Sequence, residues 1–208
     1  MNHIRISAAS FLDYVRSTPR GCIDLVKQQR KMYTDPDSKG SVFYGPIRTA
    51  LRRALNSPTP QQEFVRAVDD AGPSQYPHFI ELERGFSRWW RSSRARSAGV
   101  KVSGAVRRIE GLNVTLHNLL GLRYANNETA VILPYLKDRP LSSDIANPVL
   151  RLLELEMAQL LPGAHPVILD VRQAQSFKLR KNTNRDDLDA LLRGEAAKYA
   201  THWRAAAA

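Results

Sequence analysis

The sequence predicts an α+β protein: a helical N-terminal half, then a strand-rich second half whose mixed four-stranded sheet is followed by a C-terminal helix. Three observations carry this prediction. Apolar residues recur at helical spacing as far as Ser97, they alternate with polar residues or run continuously from Gly99, and a capped helical stretch ends the chain. The 208 residues, 43% hydrophobic and 25% charged, suffice for a buried core and exclude disordered, collagenous and coiled-coil classes.

In the first half, Phe11, Leu12 and Val15 mark one helix and Ile23, Leu25 and Val26 a second. Tyr44, Ile47, Leu51, Ala54 and Leu55 mark another, and Phe79, Leu82, Phe86, Trp89 and Trp90 a long one from Tyr76 to Arg94, giving four or five in all. Turn chemistry separates them: Ser7 and Ser10 as N-cap candidates, Thr18-Pro19, the loop Asp35–Gly40, Ser57-Pro58-Thr59-Pro60 and Gly72-Pro73-Ser74. Trp89 lies at helical spacing from the core positions, which leaves Trp90 as the exposed tryptophan.

In the second half, Val100, Val102 and Val106 alternate with Lys101, Ser103 and Arg107. Leu112, Val114 and Leu116 alternate likewise, and Ala130–Leu136 is apolar on both sides. With joints at Glu110-Gly111 and Ala125–Glu128, a three-stranded antiparallel meander is expected. A helix through Leu150, Leu153, Met157, Leu160 and Leu161 follows, starting at Ser142/Ser143 or at Asn147-Pro148. Its length suits a crossover that brings Pro166–Val171 into the same sheet, and Asn184 caps a last helix reaching Trp203. Residues 1–75 are read as a helical region and residues 76–208 as the α/β core, separate or continuous.

Charge narrows the partners. Lys+Arg number 31 against Asp+Glu 20, a net charge of +11, which favours polyanions. Eight of the cations, Arg84, Arg88, Arg91, Arg94, Arg96, Lys101, Arg107 and Arg108, fall between Glu83 and Glu110 with no acid among them. Such a run can neutralise phosphates; its blander reading is a solvated helix end that complements the helix dipole. The single cysteine, Cys22, excludes an intramolecular disulfide, and five scattered histidines give no zinc spacing. Phosphate-cradling glycine motifs and a nucleophile elbow are lacking, and no apolar run has membrane-spanning or signal-peptide length. The reading is a cytoplasmic protein with no membrane partner.

Counted from the Tyr76–Arg94 helix, the order is αβββαβ. Leu112-Asn-Val-Thr-Leu-His-Asn-Leu-Leu-Gly-Leu-Arg123 and Ala130-Val-Ile-Leu-Pro-Tyr-Leu-Lys-Asp-Arg-Pro-Leu-Ser142 resemble the second and third strands of the PD-(D/E)XK, or restriction-endonuclease-like, superfamily. The resemblance covers residues 76–180. It implies a sheet from which two carboxylates and a lysine hold a divalent metal and activate water for phosphodiester hydrolysis. With Lys137 as that lysine, the acid two residues earlier is replaced by Tyr135, and His117–Leu119, where the other carboxylate is expected, contains none. Arg172 is a poor stand-in for lysine in a shifted site built on Asp170 with Asp138 or Glu110. His117 and His165 lie near the expected active edge but lack an orienting acid.

The expectation is therefore a catalytically degenerate core that binds nucleic acid, DNA or RNA, as a non-catalytic module without cofactor. Its binding residues would be Arg88, Arg91, Arg94, Arg96, Lys101, Arg107, Arg108 and Lys137. One alternative is an active magnesium-dependent nuclease, with Glu81 or Glu83 contributing. Another is an adaptor subunit whose helical N-terminal half docks on a protein partner.

Overall fold

The computed structural model describes residues 4–35, 43–92 and 98–206. The fold is mixed α+β, as expected, but its strands form two sheets of three and five strands rather than one sheet of four. In the N-terminal part β1 (Ile4–Ser7) runs directly into α1 (Ala8–Val15), followed by α2 (Gly21–Thr34), α3 (Gly45–Ala54), α4 (Pro60–Asp69) and α5 (Tyr76–Ser92). Five helices thus match the upper reading, whereas β1 contradicts a purely helical first half. Four residues show too few alternations to read as a strand, and β1 acquires its state by parallel pairing with a strand a hundred residues away. Ser7 does cap α1, its side-chain oxygen accepting from the Ser10 N–H at 3.1 Å.

The second half contains β2 (Ala98–Val100), β3 (Ala105–Ile109), β4 (Leu112–Leu116), β5 (Leu120–Arg123), β6 (Thr129–Tyr135), α6 (Ser143–Leu155), α7 (Met157–Leu160), β7 (His165–Asp170), β8 (Gln175–Phe177) and α8 (Arg185–Ala205). The small sheet has the order β1-β4-β3 and the large one β2-β5-β6-β7-β8. The expected meander is therefore wrong. Val100 and Val106 belong to different sheets, and β4 pairs with β1 and β3 instead of continuing to β6. The Leu112–Arg123 stretch, read as one strand, is two.

Backbone conformation explains the split. Glu110 and Gly111 both have positive φ, 46° and 77°, the requirement of a two-residue type I′ hairpin joining β3 to β4. Asn118 has φ 57°, a left-handed conformation that asparagine tolerates. That one residue stops β4 and turns the chain into β5 of the other sheet. The opposite passage, at Lys101–Gly104, is fixed where the Ser103 N–H donates to the Leu160 carbonyl at 3.0 Å.

The crossover expectation holds: β6 and β7 pair in parallel from Ala130↔His165 to Tyr135↔Asp170, with α6 and α7 between them. Ser142 is the N-cap of α6, accepting from the Ile145 N–H, so Pro148 lies within the helix rather than at its start. As the central strand of its sheet, β6 is buried on both faces, which is why its sequence is continuously apolar. Val131, Leu133 and Tyr135 join a core with α1, α2, α6, α8 and the small sheet. Ala130 and Ile132 join a second core with α3, α4 and α5. Each core draws on both halves of the chain. Trp89 is buried, in keeping with the helical spacing, whereas Trp90, expected to be exposed, is half-buried against Phe86. Asn184 caps α8 as read from the sequence. Among the described residues, no helix is long and apolar enough to cross a membrane.

Candidate nucleic-acid interface

The chain passes between its two sheets at Lys101–Gly104 and again at His117–Leu119, and these passages leave a cleft. One part of it, about 480 Å³, lies between the passages and is completed by Arg52 and Asn56 at the end of α3. The other, about 450 Å³, is enclosed by the ends of β1 and β6 together with α1, α2 and α3. His117 and Asn118 line both parts, so the residues of the sheet-switching turn also join the two cavities.

Among the described residues, Arg48, Arg52, Lys101 and Lys137 line the cleft, and Asp13 is the lining carboxylate. Lys137, just past β6, lies 3.9 Å from Asp13 and 5.3 Å above the Tyr44 ring. Burial raises the pKa of Asp13, while the positive charges of Lys137, Arg16 and Arg48 oppose that rise. Arg48 sits half-buried one helical turn from Arg52, and its pKa is pulled down mainly by burial. The pKa of His117 is lowered by partial desolvation and by the like charges of Arg48 and Arg5. The shift favours the neutral imidazole, and among the described residues no acid is paired with it as a catalytic histidine needs.

The expected binding residues are distributed unequally. Lys101 and Lys137 enter the cleft. Arg88 lies on α5 and donates to the Arg172 carbonyl at 2.7 Å. Arg91, in the last turn of α5, donates to the Ser87 carbonyl at 3.2 Å. Arg107 and Arg108 are consecutive in β3 and so point to opposite faces of the small sheet. Arg107 pairs with Glu156 at 3.0 Å, while Arg108 lies beside Asn113. Arg94 and Arg96 lie outside the described residues. Arg48, Arg52 and Asp13 were missed because the residues flanking them are apolar at helical spacing, which marks a helix and not its open face.

The shifted acidic site is structural. Asp170 is buried and accepts from the Leu141 N–H at 3.3 Å and the Gln173 N–H at 3.1 Å. Arg172 is buried, pairs with Glu81, contacts His78 Nδ1 at 2.9 Å and donates to the Leu136 carbonyl at 3.2 Å. Glu83 accepts from the Ser87 hydroxyl, and Asp138 accepts from the Arg139 N–H. Glu110 occupies the β3–β4 turn. His165 stacks on Tyr124 away from Lys137's cleft.

A divalent metal does not suit the donors beside Lys137. Magnesium is held by oxygen ligands that include carboxylates, and among the described residues the cleft offers Asp13 alone. The Tyr135 phenol donates to the Arg139 carbonyl at 2.7 Å, and burial pushes its pKa up, so it stays protonated. Among the described residues, no cluster of three or more His, Cys, Asp and Glu side chains is placed to hold a metal ion. Compared with known proteins, the chain matches neither a family model nor a curated sequence.

Proposed function

We propose that this protein binds nucleic acid in the cleft between its two sheets and acts as a non-catalytic module. The observation that carries the reading is the lining of the cleft: among the described residues, Arg48, Arg52, Lys101 and Lys137, from three separate segments, line its two parts, and Asp13 is the lining carboxylate. Converging side chains with low-dielectric walls concentrate a positive field, which attracts a phosphate backbone irrespective of its sequence. The restriction-endonuclease-like reading of the core is supported by α5 preceding a mixed sheet, the antiparallel β5–β6 pair, the crossover to parallel β7, and Lys137 at the end of β6. The degenerate reading is supported by Tyr135 and His117–Leu119 standing where the superfamily pattern expects acids.

A quantitative test is the salt dependence of binding to a labelled duplex and a labelled single strand. Each neutralised phosphate contributes a slope of about −0.9 on duplex and about −0.7 on single strands. Replacing Arg48, Arg52, Lys101 and Lys137 together by Gln should flatten the slope by about 3 units. The Arg94, Arg96, Arg107 and Arg108 quadruple Ser variant should change it less. The reverse order would move the interface to the basic segment, and equal, salt-insensitive behaviour of all three proteins would remove it.

One observation favours a second reading, an active metal-dependent nuclease: Asp13 reaches Lys137 from a helix outside the αβββαβ core. Cleavage of DNA or RNA that requires Mg²⁺ or Mn²⁺ and is lost in both Asp13→Asn and Lys137→Gln would establish it.

A further inference from the structure

The small sheet has one face buried in a core and one face turned away from it. Alternation along the strands sends Ile4, Ile6, Leu112, Val114 and Leu116 into the core. The residues between them point the other way, and the register aligns them in two rows across the strands. Arg5, Asn113 and Arg108 form one row, and Ser7, Thr115 and Val106 form the other. Arg5, Arg108 and Val106 are exposed. Among the described residues neither arginine is paired with a carboxylate, Arg108 lying beside Asn113 at 3.4 Å. No acid stands in either row, and Glu110, two residues beyond Arg108, occupies the hairpin turn. This face runs into the cleft. Ser7 lines the part of the cleft that holds Lys137. His117, two residues beyond Thr115, lines both parts, and the positive charge of Arg5 acts on it.

We propose that a single-stranded nucleic acid held in the cleft leaves it across this open sheet face, its backbone phosphates meeting Arg5 and Arg108 on either side of β4. The inference rests on the nucleic-acid reading above and adds the path of the ligand and its single-stranded form. Charge complementarity selects a polyanion for a face that offers two guanidiniums and no acid in its rows. The two arginines stand on the strands flanking β4, about 10 Å apart at the backbone, which is two strand spacings. Each guanidinium fork can grip phosphate oxygens bidentately. Neither row contains an aromatic ring on which a base could stack, so the contact is with the backbone and carries no sequence preference. The two parts of the cleft, about 480 and 450 Å³, have the volumes of small-ligand sites, which suit unpaired nucleotides and not a duplex. From His117 back along β4 to Asn113 is about 13 Å, a distance covered by about four stacked nucleotides.

The test measures the salt dependence of binding of the full chain to a labelled single strand of about twelve nucleotides. Wild type is compared with Arg5→Gln/Arg108→Gln and with a control, Arg20→Gln/Arg193→Gln, that removes two exposed arginines elsewhere. Losing two phosphate contacts should make the slope of the first pair shallower by about 1.4 units, at about 0.7 for each contact on a single strand. The control should keep the wild-type slope, and Arg5→Lys/Arg108→Lys, which retains both charges, should restore it. Because both arginines are exposed, the Gln pair should melt at the wild-type temperature. A strand of about four nucleotides, too short to leave the cleft, should not distinguish the Gln pair from wild type. An unchanged slope in the Gln pair, or an equal loss in the control, would overturn the path across the sheet and leave the cleft reading in place. Tighter binding of a duplex than of the single strand would overturn the single-stranded form of the ligand. Absent or salt-insensitive binding of wild type to every strand would overturn the nucleic-acid reading itself. Loss of polyglutamate binding in the Gln pair, with strand binding unchanged, would assign the face to an acidic protein instead.

Discussion

Leu136 and Lys137 are neighbours in sequence but belong to two clusters of opposite character. The Leu136 carbonyl accepts from Arg172, whose side chain is 4% exposed and whose guanidinium also engages Glu81 and His78. The Lys137 side chain is 46% exposed, and its carboxylate partner stands 3.9 Å away. Both clusters pair a cation with an acid near the end of β6. In the first, each side of the guanidinium meets an acceptor, so ordering is complete without a ligand. In the second, the pair is loose, and burial raises the pKa of Asp13 while the charges of Lys137, Arg16 and Arg48 lower it. The sequence offers Arg172 only as a poor stand-in for lysine in a shifted site and Glu81 only in the nuclease alternative, and gives no sign that the two pair. Geometry assigns that cluster to folding, and the proposed binding rests on the other.

The most damaging way to break the contrast is through Gly85. On α5, four residues after Glu81, it faces the backbone of Val171 and Arg172, where an added Cβ would lie 1.9 Å from the Val171 carbonyl oxygen. Gly85→Ala must push the helix off the sheet and separate Glu81 and His78 from Arg172. A loss of about 3 kcal/mol or more is expected, read as a lowered urea midpoint.

A more selective comparison sets Arg172→Met against Lys137→Gln. The first leaves the Leu136 carbonyl without its donor in a buried place and should cost about 2 kcal/mol. Glu81 adds little to that figure because its side chain is 60% exposed. Lys137→Gln removes a loose, solvated pair and should alter stability by less than about 0.5 kcal/mol while weakening binding. Comparable destabilisation by the two variants would erase the distinction drawn between the clusters.

The smallest effect is the most diagnostic. The pKa of Asp13 is raised in the folded state, so folding favours its neutral form. That contribution is complete below the unfolded carboxyl pKa and is lost as pH rises through the folded value. At neutral pH the charged side chain is therefore a burden. Asp13→Asn should raise the thermal midpoint near pH 7, and the advantage should vanish as the pH falls below the ordinary carboxyl range. A lower midpoint at neutral pH would mean that Asp13 is a structural partner of Lys137.

Much of this protein was legible in its sequence. Helical periodicity located α1, α2, α3 and α5, and left α4 unassigned, because one apolar stripe facing a core repeats at short range. Ser7 and Asn184 announced the caps they form, since capping is settled within three residues. The continuous apolar run of β6 and the length of the following helix were enough for a parallel crossover, and the charge excess was enough for a class of partner. Tertiary structure alone decided which strands pair. Val100 to Val106 alternates like one strand, yet the chain leaves one sheet for the other between them, and β1 became a strand only because β4 offered it an edge. Alternation reports which face a residue takes and carries no information on the neighbouring strand. The same limit hid the cleft: Asp13, Arg48 and Lys137 meet from α1, α3 and the end of β6, and side chains so far apart in sequence leave no local pattern. Their convergence depends on the left-handed turn at Asn118, where the two sheets part.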